Sequence, residues 1–421
     1  MSGSNGSGGG CLLWFIHWTF GIIRNRRIRK YNKRARGLQI NKNTTTDTIF
    51  PQDTYRDNII ISGGSQTERM QLCEQIILNA YNVSHPIIIL HAANGPMENI
   101  IAANNFGIVI SERNKKFDAF ASFEFNEIFQ VVTETCKSKY EIKPAGRYIL
   151  QVVYSLLESR GSKPFFSGFA NCPYFKLSDQ IVSRLNSGSI SQDAADELNS
   201  LLLTGQSELP KIDAFFSDMK SQTDFISAKN PKNENAVGVL SAIKMNQILC
   251  IDIKSSSNDM LLELIVNSLI IAMNRGFDFS LLIDDISFTN NEMLKNAICQ
   301  KSNHRNIILS KDLFSLTGGK EDVFSAILGE AEKTVLFRHG SGASCDKWSM
   351  YLGEYERVDV SYNRNAGWSR SEKSGFNSNI GQTESLKRER KVNPEQIRSL
   401  SDNEAILYDK ATDSLVHTRV M

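Results

Sequence analysis

The chain has 421 residues, of which 41% are hydrophobic and 22% charged, with a net charge of +2 at pH 7. This length exceeds the roughly 250 to 300 residues that one hydrophobic core supports, so two domains, or one large domain with an insertion, are expected. Its 7 cysteines include no CxxC pair, which argues against a disulfide framework and a thiolate zinc site and favours a reducing cytoplasm. The 6 histidines do not cluster either, so a histidine-based metal site is not predicted.

Basic residues are concentrated at the amino terminus. Residues 1–37 contain eight Lys or Arg and no acid, so the remainder carries 40 basic against 46 acidic residues. A body with a net charge of −6 does not attract a polyanion as a whole. Any nucleic-acid contact therefore has to be local, along a groove or a pore.

The amino-terminal segment predicts a membrane-surface anchor. After a flexible leader at residues 1–10, the apolar stretch CLLWFIHWTFGII at 11–23 precedes a basic run at 24–37. As a helix the apolar stretch reaches about 20 Å, against about 30 Å for a hydrocarbon core, so it is too short to span. Trp14 and Trp18 suit the headgroup boundary, and the basic run suits anionic lipid. The alternatives are a helix docked on a partner and a basic nucleic-acid arm.

Residues 50–138 are predicted to form the first part of an α/β core. The segment Asn58–Ala80 has the pattern of a strand, a turn at Gly63 and Gly64, and an amphipathic helix. The next strand is Pro86–Leu90.

Residues 139–235 break this pattern. Their apolar residues recur at helical spacing, and little in the stretch has the pattern of a strand. An all-helical insertion is predicted here, closed by the polar linker at 228–235.

The core resumes over residues 236–421. Apolar, β-rich runs lie at 247–253, 279–284, 306–309 and 333–337, and a capped, buried helix is predicted over 258–276. Strands that alternate with helices predict an α/β fold, a doubly wound and mostly parallel sheet.

The most informative of these strands lies within Phe279–Ser287, because it ends in Asp284 and Asp285. Strands buried in a parallel sheet carry functional groups at their carboxyl ends. In a P-loop NTPase the first acid there holds the water shell of Mg²⁺, and the second polarises the attacking water. Asp284 is thus the candidate metal-binding residue, and both acids are candidate catalytic residues. The alternative is an ordinary strand that ends in a solvated turn.

The last part of the chain changes character twice. Residues 362–391 are polar and rich in Gly, Ser and Asn, which predicts a mobile loop without a packed core. Pro394 then opens a short helix, and residues 405–420 predict two strands joined by a turn.

The order of these features resembles that of TraG/TraD-type type IV coupling proteins. The resemblance covers roughly residues 55–421 and is strongest from 278 onward. The segments that carry it are the Asp-Asp strand, NNEMLKNAICQKS, NIILSKDLFSL, KTVLFRHG, LGEYERVDVSYNRN and VNPEQIRSLSDNEAILYD. It implies a P-loop NTPase fold related to FtsK and HerA translocases, with the helical insertion hanging from the core. It also implies a hexameric, membrane-tethered ATPase that uses ATP and Mg²⁺ and delivers relaxase-bound DNA or protein to a type IV secretion channel.

The expected phosphate loop departs from the family's pattern. An ungapped GxxxxGK[ST] falls on Gly63, Glu68, Arg69 and Met70, so three of its four fixed positions are changed. Glu68 would put a carboxylate beside a polyphosphate, and one like-charge pair at 4 Å costs about 4 kcal/mol at an effective dielectric of 20. Arg69 offers a bulky fork in place of a compact ammonium, and Met70 offers the metal no oxygen. The candidate cofactor-binding residues are Gly63, Gly64, Ser65, Glu68, Arg69, Met70 and Lys311.

Further departures fall at other positions that the resemblance marks as functional. Asp285 is one methylene shorter than the family's usual Glu, and Lys311 stands where relatives commonly have a Gln that senses the γ-phosphate. Arg338 is a candidate trans finger for a neighbouring subunit's nucleotide. The alternative for Arg338 is an ion pair with a carboxylate at a subunit boundary.

These changes predict a P-loop fold with weak or lost hydrolysis. The leading hypothesis is a coupling-protein-like component that recruits DNA or protein substrate at the cytoplasmic face of the membrane, anchored peripherally through residues 11–36. The expected partners are an anionic membrane surface, copies of itself in a ring or an active paralogue, a relaxase with DNA or a secretion substrate, and channel components. There are two alternatives. One is a catalytically silent scaffold paired with an active paralogue, and the other is a divergent active FtsK/HerA-type translocase.

Overall fold

The computed structural model describes residues 8–41, 49–51, 53–137, 139–161, 164–229, 231, 235–255, 259–289, 291–368 and 376–420. For residues 8–21, 136 and 362–382 it describes the backbone alone. The chain divides into two compact units, Thr45–Val335 and Met1–Thr44 with Leu336–Val420. The domain boundaries predicted from the sequence stay a prediction.

Twelve strands are found in the described part of the chain. They are β1 (Leu38–Ile40), β2 (Ile59–Ser62), β3 (Ile87–His91), β4 (Gly107–Ile110), β5 (Ile248–Asp252), β6 (Ser280–Asp284), β7 (Arg305–Ser310), β8 (Lys333–Leu336), β9 (Glu354–Trp368), β10 (Phe376–Arg390), β11 (Glu404–Asp409) and β12 (Ser414–Arg419).

Helices separate most of these strands. The α-helices are Gly8–Arg36, Gln66–Asn82, Gly95–Ala103, Phe125–Cys136, Gly146–Glu158, Phe166–Ala170, Leu177–Asn186, Gln192–Gly205, Leu209–Thr223, Val239–Lys244, Asp259–Asn274, Glu292–Cys299, Leu313–Leu316, Glu321–Glu330, Gly342–Tyr351 and Pro394–Arg398. Short 3-10 helices are found at Thr54–Arg56, Tyr174–Lys176 and Gln206–Glu208.

The core of the larger unit is a parallel sheet. Six strands follow one another in the order β2-β7-β6-β3-β5-β4, and every neighbouring pair is parallel. β2, β3 and β6 are buried along their whole length, because each is an apolar run that packs on both faces. The predicted fold class, an α/β protein with a mostly parallel sheet, is confirmed.

The carboxyl ends of these parallel strands lie at one edge of the sheet, which positions the candidate site. His91 is in register with Asp284 on one side and with Asp252 on the other. β2 and β6 are not neighbours, because β7 lies between them. The five central strands of this edge, taken in sheet order, end in Ser62, Ser310, Asp284, His91 and Asp252.

Between β4 and β5 the described residues form helices and isolated bridges, without a strand ladder. Phe117 bridges Ser227 and Val237, so the two ends of this stretch meet at one point of the chain. Its interior is an aromatic cluster in which the Phe120 and Phe216 rings lie 6.4 Å apart and edge-on. The members are Phe120, Phe166, Phe169, Tyr174, Phe215 and Phe216.

The smaller unit contains the three paired strands β1, β12 and β11 and a long ribbon. β11 and β12 pair antiparallel, and β1 joins β12 in parallel. β9 and β10 pair antiparallel along their whole length, from Glu354 with Arg390 to Trp368 with Phe376. The short helix Pro394–Arg398 precedes β11 and β12 at the end of the chain.

The ribbon corrects one expectation. The sequence predicted a loop at residues 362–391, but residues 362–368 and 376–390 belong to paired strands. The polar composition of this segment suggested that it has no packed core. Two antiparallel strands nevertheless hydrogen-bond each other's backbone N–H and C=O groups, and they need no buried face to do so. Residues 369–375 lie outside the described residues.

The amino-terminal segment is one helix, Gly8–Arg36, which contains both the apolar stretch and the basic run. Of the flexible leader predicted at residues 1–10, residues 1–7 lie outside the described part of the chain, and residues 8–10 belong to this helix instead. Among the described residues, no helix combines the length and the apolar character needed to cross a membrane.

Candidate phosphate-loop site

The turn after β2 is short. Gly63 and Gly64 have φ angles of +89° and +64°, which glycine adopts without steric cost. Ser65 is extended and caps the helix Gln66–Asn82. The structure therefore places Glu68 and Arg69 inside the helix, whereas the pattern GxxxxGK[ST] needs an open loop up to its lysine.

A carboxylate occupies the amino terminus of this helix. The Ser65 hydroxyl accepts a hydrogen bond from the Glu68 N–H at 3.2 Å, and the Glu68 carboxylate accepts one from the Ser65 N–H at 2.6 Å. Free amides and the helix dipole would otherwise favour an anion at this position. In this capping box Glu68 takes the place that a phosphate would need.

The Arg69 side chain turns back onto the turn that precedes it. Its Nη1 donates to the carbonyls of Gly63 and Gly64, each at 3.0 Å, and its Nη2 lies 3.3 Å from Asp285 Oδ2. The side chain is only 4% exposed. The guanidinium is thus bound by carbonyl and carboxylate oxygens of the protein itself.

Asp284, the last residue of β6, is buried. Its Oδ2 accepts a short hydrogen bond from Asn94 Nδ2, and its Oδ1 has no hydrogen-bond partner among the described atoms. Burial raises the pKa of Asp284 to about 6, against the opposing effect of the Asn94 hydrogen bond. A carboxyl with this pKa exchanges its proton near neutral pH.

Asp285 follows with a φ of +51°, so the chain turns sharply after the strand. Its Oδ1 accepts a hydrogen bond of 2.6 Å from the Lys311 N–H, and its Oδ2 faces Arg69. Lys311 is exposed and follows β7 directly. Asp285 therefore ties the end of β7 to the turn after β2, across the end of β6.

Asn94, which the sequence analysis did not identify, is central to the site. Besides its bond to Asp284, its Nδ2 lies 3.8 Å from Met70 Sδ, and its Oδ1 accepts from Gln66 Nε2 at 2.7 Å. It also caps the helix Gly95–Ala103. The feature that could have identified Asn94 in the sequence is its position just beyond the carboxyl end of β3, a strand adjacent to β6.

His91 was also missed. Its ring is buried, its Nδ1 accepts from the Asn94 N–H at 3.0 Å, and its Nε2 has no hydrogen-bond partner among the described atoms. Glu98 lies 3.9 Å from Nε2, and Asp252 lies 4.0 Å from Nδ1. Burial lowers the pKa of His91 to about 4, although Asp252 raises it, so the imidazole is neutral at pH 7.

Arg338 belongs to the smaller unit. Its Nη2 lies 3.6 Å from Asp402 Oδ1, and the two side chains are 57% and 87% exposed. This contact lies within one chain, so the trans finger and the ion pair at a subunit boundary both stay predictions.

These residues do not match the requirements of a triphosphate with Mg²⁺. The first helical turn presents a carboxylate at Glu68 and a guanidinium that is already bonded. Met70, which the ungapped pattern aligns with the metal-binding Ser or Thr, has only a thioether to offer. No group of three or more His, Cys, Asp or Glu suited to a metal ion is found among the described residues. Asp284 Oδ1 is the one oxygen named above that is both buried and unbonded.

Comparison with known proteins gives a structural answer only. No family model matches the chain, and no curated protein matches it significantly. Among solved structures, the plasmid coupling protein TrwB with a non-hydrolysable ATP analogue matches with a TM-score of 0.54 and 13% identity, over 90% of this chain and 89% of that one. The unbound form of the bacterial conjugative coupling protein TrwB has a TM-score of 0.51 and 14% identity, over 90% and 88%.

The protein has the fold of the conjugative coupling protein TrwB. A third match, TrwB with ADP and Mg²⁺, has a TM-score of 0.50 and 13% identity over 90% of this chain and 89% of that one. The resemblance to coupling proteins predicted from the sequence is confirmed at the level of the P-loop fold. At this identity the match concerns the fold alone.

Proposed function

We propose that the protein is a coupling-protein-like component of a conjugative or type IV secretion system, which recruits DNA or protein substrate at the cytoplasmic face of the membrane. The observation that carries this proposal is the TrwB-like fold over 90% of the chain. The helix Gly8–Arg36, with eight basic residues and no acid, supports a peripheral position on an anionic membrane surface.

Hydrolysis of ATP by this protein is proposed to be weak or lost. Binding a triphosphate would require the Glu68 carboxylate to leave the helix end and Arg69 to leave two carbonyls and Asp285. Each of these contacts opposes binding, because charged hydrogen bonds of partly buried groups cost about 1.5 to 3 kcal/mol to break. The role of the core would then be to hold the fold and its interfaces.

The partners follow from the same proposal. Copies of the chain, or an active paralogue, would complete a ring, and the helical stretch between β4 and β5 would receive a relaxase with its DNA or a secretion substrate. Channel components would receive that cargo. A silent scaffold that only supports an active paralogue is the second candidate, and the bonded Arg69 favours it equally.

One observation favours a divergent ATPase instead. Asp284 Oδ1 is buried without a partner, and a water of a Mg²⁺ shell would satisfy it. Titration of the full chain with a fluorescent ATP analogue and Mg²⁺ separates these candidates. We expect no binding below millimolar concentration, whereas micromolar binding with a turnover that Asp284→Asn abolishes would establish the ATPase.

A transfer assay in the native host tests the recruiting role. Deletion of the gene is expected to abolish DNA or protein transfer, and a copy that carries Asp284→Asn is expected to restore it. Normal transfer after deletion would refute the coupling role, and failure of Asp284→Asn with normal protein levels would refute the loss of hydrolysis. Retrieval of the paralogue alone in a cross-linking experiment, without cargo, would favour the scaffold.

A further inference from the structure

Two helices of the stretch between β4 and β5 form a hairpin with an open groove. Five residues connect the helix Leu177–Asn186 to the helix Gln192–Gly205. A cavity of about 490 Å³ is lined by the start of the first helix, at Ser178, and by the last turns of the second, at Asn199 and Leu203. The two helices therefore run in opposite directions along the groove, as expected for so short a connection.

The groove is apolar at its floor and on both sides. The buried side chains of Tyr174, Leu177 and Leu202 line its floor. Phe175, just before the first helix, and Leu203, on the second, are both 71% exposed and lie on its two sides. Single exposed apolar residues are common on protein surfaces. Two of them beside a cavity with an apolar floor are typical of a binding groove.

One side of the groove ends beside an exposed carboxylate. Asn199, Leu203 and Gln206 line the groove and follow one another at helical spacing, so they lie along one side of the second helix. Asp196 precedes Asn199 by three residues and continues the same side. Its carboxylate is exposed and accepts a hydrogen bond from Gln192 Nε2 at 3.0 Å.

The hairpin is negatively charged. Residues 174–206 contain four acids and two bases, so their net charge is −2. Three of the acids, Asp179, Asp193 and Glu197, are exposed and form no ion pair within the described part of the chain. These carboxylates are therefore available to a positively charged partner.

The surroundings of the groove favour a helix of a partner protein as its occupant. The described residues between β4 and β5 contain no strand ladder whose edge could pair with an extended peptide. A groove between two helices instead accepts a third helix through apolar side chains spaced three and four residues apart. The negative charge of the hairpin opposes a direct contact with DNA, because phosphates and carboxylates repel each other.

We infer that this groove binds a basic amphipathic helix of a partner protein. Apolar side chains of that helix would lie between Phe175 and Leu203, and its Lys or Arg side chains would face the acids of the hairpin. This inference rests on the proposed function and makes the protein part of the cargo, not its DNA, the part that the helical stretch recognises. Burial of the two exposed apolar side chains would provide affinity, and the charges would select basic helices.

Synthetic peptides test the inference with the full chain. The probe is a fluorescein-labelled helical peptide of about 18 residues, with leucines on one face and lysines beside them. A second peptide has glutamate in place of every lysine, and a third has the composition of the probe in scrambled order. In fluorescence anisotropy the basic peptide is expected to bind with a Kd of roughly 1 to 100 μM, and the other two at least about tenfold more weakly. Equal binding of the basic and acidic peptides, or no binding of the basic peptide up to about 1 mM, would overturn the inference.

Substitutions at exposed positions, which the fold should tolerate, locate the binding. Leu203→Ser is expected to weaken binding of the basic peptide roughly five- to tenfold, because it removes an apolar side chain from the groove. Met350→Ser is the matched control, since Met350 is 52% exposed in the last turn of a helix outside this stretch. Asp196→Lys is expected to weaken binding of the basic peptide and to strengthen binding of the acidic one. Equal affinities of the wild type and Leu203→Ser for the basic peptide would overturn the inference.

The transfer assay in the native host separates this inference from the proposed function. Leu203→Ser is expected to reduce transfer several-fold, and Met350→Ser is expected to leave it unchanged. Transfer that is lost on deletion of the gene but normal in Leu203→Ser would leave the proposed function and overturn the inference. Peptide binding that depends on Leu203, together with normal transfer after deletion, would refute the proposed function and leave the groove as a binding site. A single-stranded oligonucleotide whose binding Leu203→Ser weakens more than that of the basic peptide would assign the groove to nucleic acid and also overturn the inference.

Discussion

Arg69 Nη2 lies 3.3 Å from Asp285 Oδ2, although the turn that precedes Arg69 and the strand that precedes Asp285 are separated by β7. The contact is possible because Asp285 turns away from β6 with a positive φ and also binds the Lys311 N–H at the end of β7. The Asp285 carboxylate thus connects the ends of β6 and β7 to the turn after β2.

Removal of the Arg69 side chain should be costly. Arg69→Ala would leave the carbonyls of Gly63 and Gly64 and the Asp285 carboxylate without this donor in a mostly buried setting. We expect the free energy of unfolding to fall by about 2 kcal/mol, with allowance for the 38% exposure of Asp285. Urea denaturation at pH 7 measures the change.

Lys311→Ala is the control for that measurement. The Lys311 side chain is exposed, and its contact with Asp285 uses the backbone N–H, which the substitution retains. Its expected effect is within about 0.5 kcal/mol. Equal destabilisation by the two substitutions would show that Arg69 contributes no more than a surface side chain.

Glu68 allows charge and capping to be separated. Glu68→Gln keeps a group that caps the Ser65 N–H, so stability should change by less than about 0.5 kcal/mol, whereas Glu68→Ala should cost about 1 kcal/mol. If the negative charge repels phosphate, Glu68→Gln should also tighten binding of a fluorescent ATP analogue by about tenfold or more. Isothermal titration and denaturation of both variants provide the comparison. Equal nucleotide affinity in Glu68→Gln and the wild type would remove charge repulsion as the cause of weak binding.

Much of the core could be predicted from the sequence, because its central strands are apolar runs buried on both faces. The position of Asp284 and Asp285 at the carboxyl edge followed from the same pattern. The ribbon could not be predicted from composition. It is held by backbone hydrogen bonds between its strands, and these do not require apolar side chains. Asn94 and His91 were missed because a contact between strands distant in sequence depends on strand order.

The sequence contains a feature that predicts where the helix after β2 begins, but the phosphate-loop pattern overlaps with it. Ser65 followed three residues later by Glu68 is the sequence of a capping box, which predicts a helix that begins at residue 66. The same residues were assigned to an eight-residue loop by the ungapped pattern GxxxxGK[ST]. Two local patterns competed for one segment, and the helix cap is the one that formed.

The pH dependence of stability provides a test of the raised pKa of Asp284. Burial raises its pKa to about 6 from 3.8, so between these pH values the folded protein binds a proton that the unfolded chain does not. This group's contribution to the free energy of unfolding therefore decreases as the pH rises through that window. Asp284→Asn removes the titration, and its stability relative to the wild type should rise by on the order of 2 kcal/mol between pH 4 and pH 7.

The difference between variant and wild type is needed because His91 acts in the opposite direction. Burial lowers the His91 pKa to about 4 from 6.5, so in that window the unfolded chain binds the extra proton and stability rises with pH. Urea denaturation of both proteins at half-unit steps of pH gives the difference. A difference that stays constant across the window would contradict a raised pKa at Asp284.

Asn32 is expected to control how firmly the amino-terminal helix is held. Its carboxamide pairs with both backbone groups of Val358, as a strand neighbour would. Asn32→Ala removes both hydrogen bonds, each worth about 1 kcal/mol. The helix should therefore detach more often, and limited trypsin digestion at its basic residues should become several times faster.

Asn32→Asp retains the acceptor for the Val358 N–H but loses the donor, so its cleavage rate should lie between those of Asn32→Ala and the wild type. Equal rates in all three proteins would show that the ion pair of Arg24 and the contacts of Arg36 hold the helix without Asn32.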